Sequence, residues 1–387
     1  LGTSTQSYCA GKESDSSKEA TLLDTGTMPS RTATPVLPPE LVVVTGANGF
    51  IAQHCVAALL RQGYKVVGTV RSQAKATAVR DVHGQHPRLT TVVVEDITSR
   101  DAYLTQLAPL SPSAILHLAA PFTYATTDYE RDLMIPSVRG ATALLEAASQ
   151  IRSVRRVVHT NSFACIYDAD AGPSPGKTYT ARDWSPLTYE DGVLAPNPPT
   201  AYRASKTAAE RAACDFMRSC RPQFDLVSLC PAMVFGAFLP GAAPPSIKSL
   251  NTSNALVHAV VSAAGGSNSD APIPPTKGPV WVDVRDVADA HLRSLSTPEA
   301  GGRRFLLAAG VYCNQEIADV SRRILAEASP KLRSRIPVGE PGRRESHLHF
   351  GVDATGAEDV LGMRWRGLGD CLAELVPQLY GIEYGDE

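Results

Sequence analysis

The sequence contains no apolar run of about 18 residues, so no part of it is expected to cross a membrane as a helix. Neither sign of charge is in excess. Lys and Arg number 37 and Asp and Glu 39, for a net charge of −2, so the charge balance calls for neither nucleic acid nor an anionic membrane as partner. Residues 1–40 have no basic start and no apolar stretch, and no signal peptide is expected. The eight cysteines are scattered without a C-x-x-C pair, and the nine histidines lack H-E-x-x-H spacing. No metal site is expected, and the cysteines read as small core residues of a cytoplasmic protein. What remains is 43% hydrophobic and 20% charged, the composition of a soluble globular protein; a small-molecule partner is expected, and the sequence leaves monomer and homodimer both open.

Residues 1–38 are rich in Ser, Thr, Gly and Pro and show no apolar periodicity, so they are expected to be a disordered N-terminal tail, with order beginning near Pro39. Strands and helices then alternate. Strands are expected at 41–45, 65–70, 91–94, 114–118, 156–160 and 225–230, and helices at 50–62, 129–150 and 201–218. Six strands with helical crossovers predict an α/β fold, a Rossmann-type doubly wound parallel sheet, over residues 39–235. Beyond Pro231 the pattern loosens. Helices near 254–263, 284–296, 314–328 and 368–379, with a strand at 303–307, predict a smaller C-terminal lobe over 236–387 that binds substrate, some segments returning to the Rossmann core.

The stretch Thr45-Gly-Ala-Asn-Gly-Phe-Ile-Ala52 joins a strand to a helix in a G-x-x-G-x-x-A pattern. Gly46 permits a tight turn. Gly49 lets the backbone approach a pyrophosphate at a helix N-terminus, with Asn48, Phe50 and Ile51 beside it. This predicts dinucleotide binding, as far as a glycine pattern alone can. A second absence then selects the cofactor. NAD-binding units carry an acid at the end of the second strand, about 20 residues on, for the ribose 2′-OH. Here the strand ends Val70-Arg71-Ser72 without one, and Lys75 follows. Arg71 and Lys75 suit a 2′-phosphate, so NADPH/NADP+ is expected. Asp96 and Ile97 after the third strand can flank the adenine. Leu118, Ala119 and Ala120 at the fourth let the cofactor lie against the backbone, whereas His117 reads as a packed strand residue.

Tyr202-Arg-Ala-Ser-Lys206 sets a phenol and an ammonium four residues apart on one helix face. Thr160-Asn161-Ser162 ends the fifth strand and can bring a hydroxyl to the same point. The chemistry this allows is carbonyl reduction: Tyr202 as general acid, Lys206 lowering the phenol pKa and binding the nicotinamide ribose, and Ser162 holding the carbonyl oxygen. Structural alternatives for the pair are a buried aromatic anchor and a solvated charge.

Taken together, these motifs resemble the extended short-chain dehydrogenase/reductases, and within them the dihydroflavonol-reductase-like group with its fungal methylglyoxal and aldehyde reductases. The resemblance covers about 41–383. It is carried by the glycine turn through His54, by Arg71–Lys75, Ala201–Lys206 and Cys230-Pro-Ala-Met-Val-Phe-Gly236, and by Val282–His291. It implies Ser162, Tyr202 and Lys206 as a catalytic triad, Arg71 and Lys75 as phosphate ligands, and Thr160, Pro231 and Val234 beside the cofactor. Phe122, Thr123, Phe163 and Met233, each just past a strand end, are substrate-pocket candidates, with ordinary packing as their alternative. Two departures stand out: Asn161, where the family usually has a second Ser, and a Pro/Gly/Asp-rich insert at 168–177. Rival readings are a sugar-nucleotide epimerase or dehydratase, a hydroxysteroid-dehydrogenase-type enzyme of the same fold, and a non-catalytic NADP-sensing regulator. The first typically needs an acid beside Thr160 and the last usually lacks the Tyr/Lys pair.

Overall fold

The computed structural model describes residues 34–121, 126–265 and 270–385. Seven strands make the main sheet: β1 (Leu41–Thr45), β2 (Lys65–Val70), β3 (Leu89–Val93), β4 (Ala114–His117), β5 (Arg156–Thr160), β6 (Asp225–Pro231) and β7 (Arg304–Leu307). All pairs are parallel, in the order β3-β2-β1-β4-β5-β6-β7. The Val-rich runs are explained by burial on both faces, since β5 and β6 are buried at every residue. The order reverses between β1 and β4, which opens a crevice at their carboxyl ends, where open α/β sheets take ligands.

Helices cover both faces. α1 (Phe50–Gln62) follows β1, α2 (Gln73–Val82) follows β2, α3 (Arg100–Leu107) follows β3 and α4 (Ile135–Gln150) follows β4. α5 (Pro198–Cys220) lies between β5 and β6 and packs on α4. α1 ends where Gly63 turns left-handed at φ 94° and donates to the Leu60 carbonyl. Beyond β6 come α6 (Thr252–Val261), α7 (Val284–Ser296), α8 (Asn314–Ala328) and α9 (Leu368–Tyr384). α6, α8 and α9 surround a three-stranded sheet of Met233–Phe235, Val280–Asp283 and Gly310–Val311. This second body has its own core, with Phe235, Trp281 and Tyr312 packed on Leu372, Leu375 and Leu379 of α9.

Several boundaries differ from expectation, each for a local reason. α5 starts at Pro198 rather than Ala201, because Asn197 caps it and two prolines fit a first turn that has no N–H partners to lose. The expected helix 129–150 opens as a π turn over Glu130–Met134 before α4. β3 begins at Leu89 and β4 stops at His117, since the Leu118 N–H turns to the Thr45 side chain. α9 continues past Leu379 to Tyr384, and α2 and α3 were not anticipated. α7 and β7 belong to the main body: α7 packs on α1, and β7 pairs with β6. The insert is anchored as well, Thr178–Tyr179 pairing in parallel with Gly351–Val352.

The expected tail needs correction at its end. Residues 34–38 lie on the fold rather than ahead of it; the earlier part of the tail, 1–33, falls outside the described residues. Val36 is fully buried, its N–H donates to Leu295 O, and its carbonyl accepts from Tyr64 Oη at 2.9 Å. Arg155 ties the same segment down through Pro35 O and Glu40. Removing residues 1–38 should therefore cost about 2–4 kcal/mol, from one buried Val and the hydrogen bonds its backbone makes to Leu295 and Tyr64. Denaturant melts of the full chain and a chain starting at Pro39 test this, and unchanged midpoints would show that the docking is not stabilising.

Candidate active site

The glycine turn is set by β1 and β4 together. Gly46 has φ +63°, and a Cβ there would meet Ala119 Cα at 3.1 Å. Gly49 N–H closes the turn on Gly46 O at 2.8 Å. The Thr45 hydroxyl organises the surroundings. It accepts from the N–H groups of Leu118 (3.0 Å) and Ala119 (2.9 Å), so its one proton goes to His117 Nδ1 at 2.9 Å. His117 is then the Nε2–H tautomer, and burial holds its pKa well below the usual histidine range. It is a packed strand residue. Leu118 and Ala119 are half-buried and Ala120 exposed at the rim of the crevice.

The start of α1 fits a phosphate group. Its N-cap, Gly49, makes no side-chain bond, and no acid lies in the first turn, so the unpaired N–H groups and the helix dipole face outward uncompensated. Asn48 is exposed beside it, and Phe50 and Ile51 are half-buried. Arg71 is exposed at the end of β2, and Lys75 is half-buried in the first turn of α2. Asp96 bonds Thr98, and Ile97 packs toward Gly140 of α4. A cavity of about 240 Å³ lies against the turn, between Asn48 and Phe50 below and Phe238, Leu239 and Asn251 above. Phe238 packs on Phe50 at 5.0 Å, and its backbone N–H and carbonyl are both held by the Gln378 amide. These roof residues were missed because nothing local in the sequence links 238 to 50 or 378.

Tyr202 and Lys206 stand one turn apart on α5, Tyr202 half-buried and Lys206 buried. Ser162 caps the short turn Phe163–Cys165, which packs on α5. Its Oγ accepts from Ala164 N–H at 3.1 Å, which leaves the hydroxyl proton to be donated. Burial pushes the Lys206 pKa down, while Cys165, Cys230 and Glu210 act in the opposite direction. His159 and His117 are both buried neighbours with lowered pKa, so neither adds a second positive charge near neutral pH.

Other expected residues fall differently. The Thr160 hydroxyl donates to His291 Nε2 at 2.6 Å, because His291 Nδ1 is taken up by Val287 O; its proton is therefore not available to a ligand. Asn161 is buried, and neither amide atom is bonded among the described residues. Pro231 ends β6, and Val234 is buried in the small sheet. Met233 is half-buried beside Gly278. Phe163 is buried, stacked on Tyr167 at 4.9 Å, with Tyr179 and Phe350 around it, so its ring is committed to packing. Phe122 and Thr123 lie outside the described residues. No helix among the described residues is long and apolar enough to cross a membrane.

Known proteins resemble this chain in sequence and fold. The NADPH-dependent methylglyoxal reductase of Saccharomyces cerevisiae is 35% identical over 88% of this chain and 98% of its own length. A ketoreductase of Aspergillus niger is 34% identical over 87% of this chain and 97% of its own. The crystal structure of the yeast methylglyoxal/isovaleraldehyde reductase complexed with NADPH superposes with a TM-score of 0.79, at 34% identity, over 88% of this chain and 98% of that one. The profile of the NAD dependent epimerase/dehydratase family matches residues 42–308. The chain is therefore a member of the NAD dependent epimerase/dehydratase family, within the extended short-chain dehydrogenase/reductases.

Proposed function

We propose that this chain reduces the carbonyl of a small aldehyde or ketone to an alcohol with NADPH, Tyr202 supplying the proton. The observation that carries the reading is the Tyr202–Lys206 spacing on α5, the helix that packs against the turn Ser162 caps, beyond the carboxyl end of β5. The named activities of the yeast and Aspergillus relatives point the same way.

The residues present fit NADPH. Gly46, Gly49 and the uncapped start of α1 suit its pyrophosphate, Arg71 and Lys75 its 2′-phosphate, and Lys206 its nicotinamide ribose. When bound, the cofactor supplies the hydride. The protein does the rest. A carbonyl that gains hydride develops negative charge on its oxygen, and Ser162, with its proton free to donate, stabilises that charge by hydrogen bond. Tyr202 passes the phenolic proton to the same oxygen. The Lys206 ammonium favours the phenolate left behind and so lowers the barrier to that transfer. Met233, half-buried on the first strand of the small sheet, offers an apolar wall for the substrate, whereas Phe163 shapes the site through packing. An epimerase or dehydratase reading finds no acid in Thr160-Asn161-Ser162.

Cofactor choice gives the first test. NADPH should bind more tightly than NADH, and Arg71→Asp should weaken NADPH binding by about 2–4 kcal/mol, through a lost charge-assisted bond and added repulsion. Titration by nucleotide fluorescence measures both. Equal affinity of the unmodified protein for the two nucleotides would remove Arg71 from this role.

Tyr202→Phe gives the second. It keeps the ring and its packing but removes the transferable proton, so turnover should fall by about 10²–10⁴ with NADPH affinity nearly unchanged. Lys206→Met should damage turnover and cofactor affinity together, since Lys206 serves phenol and ribose alike. The assay is NADPH oxidation with an active ketone or aldehyde. A Tyr202→Phe protein keeping more than about a tenth of its turnover would refute the assignment.

A further inference from the structure

Behind the Tyr202–Lys206 face lies a second charged group. Glu210 is one turn beyond Lys206 on α5 and is 1% exposed. Arg304, from β7, meets it with two bonds, Nε to Oε1 at 3.0 Å and Nη2 to Oε2 at 2.9 Å. The Ser228 hydroxyl of β6 bonds Oε1, and the Cys165 thiol lies 2.8 Å from Oε2 and 2.7 Å from Ser162 O. Arg304 also donates to the carbonyls of Cys165, Ala181 and Asp183, and stacks on Trp184 at 4.0 Å. The Glu210–Arg304 pair thus joins the Ser162 turn, α5, β6, β7 and the chain leaving the insert.

This is more than a sheet needs. Burying a carboxylate and a guanidinium costs desolvation that apolar residues of the same volume would avoid. The pair touches the Ser162 turn on one side, through Cys165, and the Lys206 turn of α5 on the other. The charged and titratable groups that face Lys206 are His117 from β4, His159 from β5, Cys165 from the Ser162 turn, Cys230 from β6 and Glu210 from α5, with Arg304 of β7 behind Glu210. The histidines are held neutral and burial raises the Cys165 thiol, so Glu210 is the carboxylate in that set. Burial pushes the Glu210 pKa up, but the Arg304 charge and its bonds outweigh this and keep it ionised. The donor atoms of Cys165, Glu210 and Cys230 lie close enough to suggest a metal, yet Arg304 already occupies the carboxylate and a cation there would face Lys206 as well.

We propose that Glu210, held by Arg304, is a positioning residue for the carbonyl reduction: it fixes the Ser162 turn against the helix carrying Tyr202 and Lys206, and places a negative charge behind the Lys206 ammonium. The proposal rests on the reductase reading above. It acts through the triad and touches no substrate.

The test uses Glu210→Gln and the double variant Glu210→Gln/Arg304→Met, with four readouts: melting temperature, NADPH affinity, kcat and KM separately, and the pH profile of kcat. The single variant strands Arg304 and is expected to melt lower; the double removes both charges and restores a fold in which the positioning is still absent. In the double, kcat should fall at least about tenfold, with KM and NADPH affinity within about threefold of the parent, since a misplaced donor affects the chemical step more than binding. In the single, removing a negative charge lowers the proton affinity of the coupled Tyr202–Lys206 pair, so the alkaline limb of kcat should move to lower pH by about one unit. A double variant with parental kcat, or a single variant that folds with an unmoved alkaline limb, overturns the proposal. So does a loss of kcat that merely tracks a loss of cofactor affinity. If the single does not fold, the double decides. Failure of the unmodified protein to bind NADPH would instead remove the reductase reading itself.

Discussion

The close approach of β1 and β4 at their carboxyl ends governs the rest, and the Thr45 hydroxyl enforces it. With both lone pairs taken by the N–H groups of Leu118 and Ala119, its proton must go to His117, which burial keeps neutral and able to accept. Three bonds from one side chain fix the turn after β1 to the chain leaving β4. They hold Ala119 so near Gly46 that a Cβ at Gly46 would come within 3.1 Å of the Ala119 backbone. The free N–H groups at the start of α1 are aimed by this arrangement. They stay free because Gly49 has no side chain to cap them.

A second fixed point lies two strands along. The β5 and β6 ends are joined through α5, the Ser162 turn and the Glu210–Arg304 pair. The Thr160 hydroxyl proton is committed to His291, so the hydroxyl proton at the strand end that can serve a ligand is that of Ser162. The two fixed points differ in physical kind. The first is a neutral network with each proton assigned by counting donors and acceptors. The second is ionic and buried, hence costly to break by removing one partner.

The legible part of the fold was what local pattern encodes. The β1–α1 unit, β2, β5 and α7 fell at the residues expected, because β-branched runs, Gly63 as helix stop and a clean 3.6-residue apolar period all act locally. α2 and α3 were missed because each presents only two buried residues and otherwise reads as polar loop. The residues of the glycine turn, Arg71, Ser162, Tyr202 and Lys206 could be proposed from the sequence because residue type and spacing suggest their chemistry. Glu210 and Arg304 could not, since 94 residues separate them and only the strand order brings them together. Thr160, placed beside the cofactor by the resemblance, shows the converse: its hydroxyl donates to a histidine 131 residues away, a contact no local pattern signals.

The chain order has a consequence for how the site is completed. Arg304 enters on β7, after the chain has left the main sheet at Met233, built most of the small sheet and returned through α7. Until β7 docks on β6, Glu210 has Ser228 and Cys165 as hydrogen-bond partners but lacks the Arg304 guanidinium, so burial is left to raise its pKa. The Ser162 turn is then held less firmly, because the Cys165 carbonyl lacks its bond from Arg304. The proposed reacting face, in residues 162–206, is therefore completed by a residue that arrives about 100 positions later.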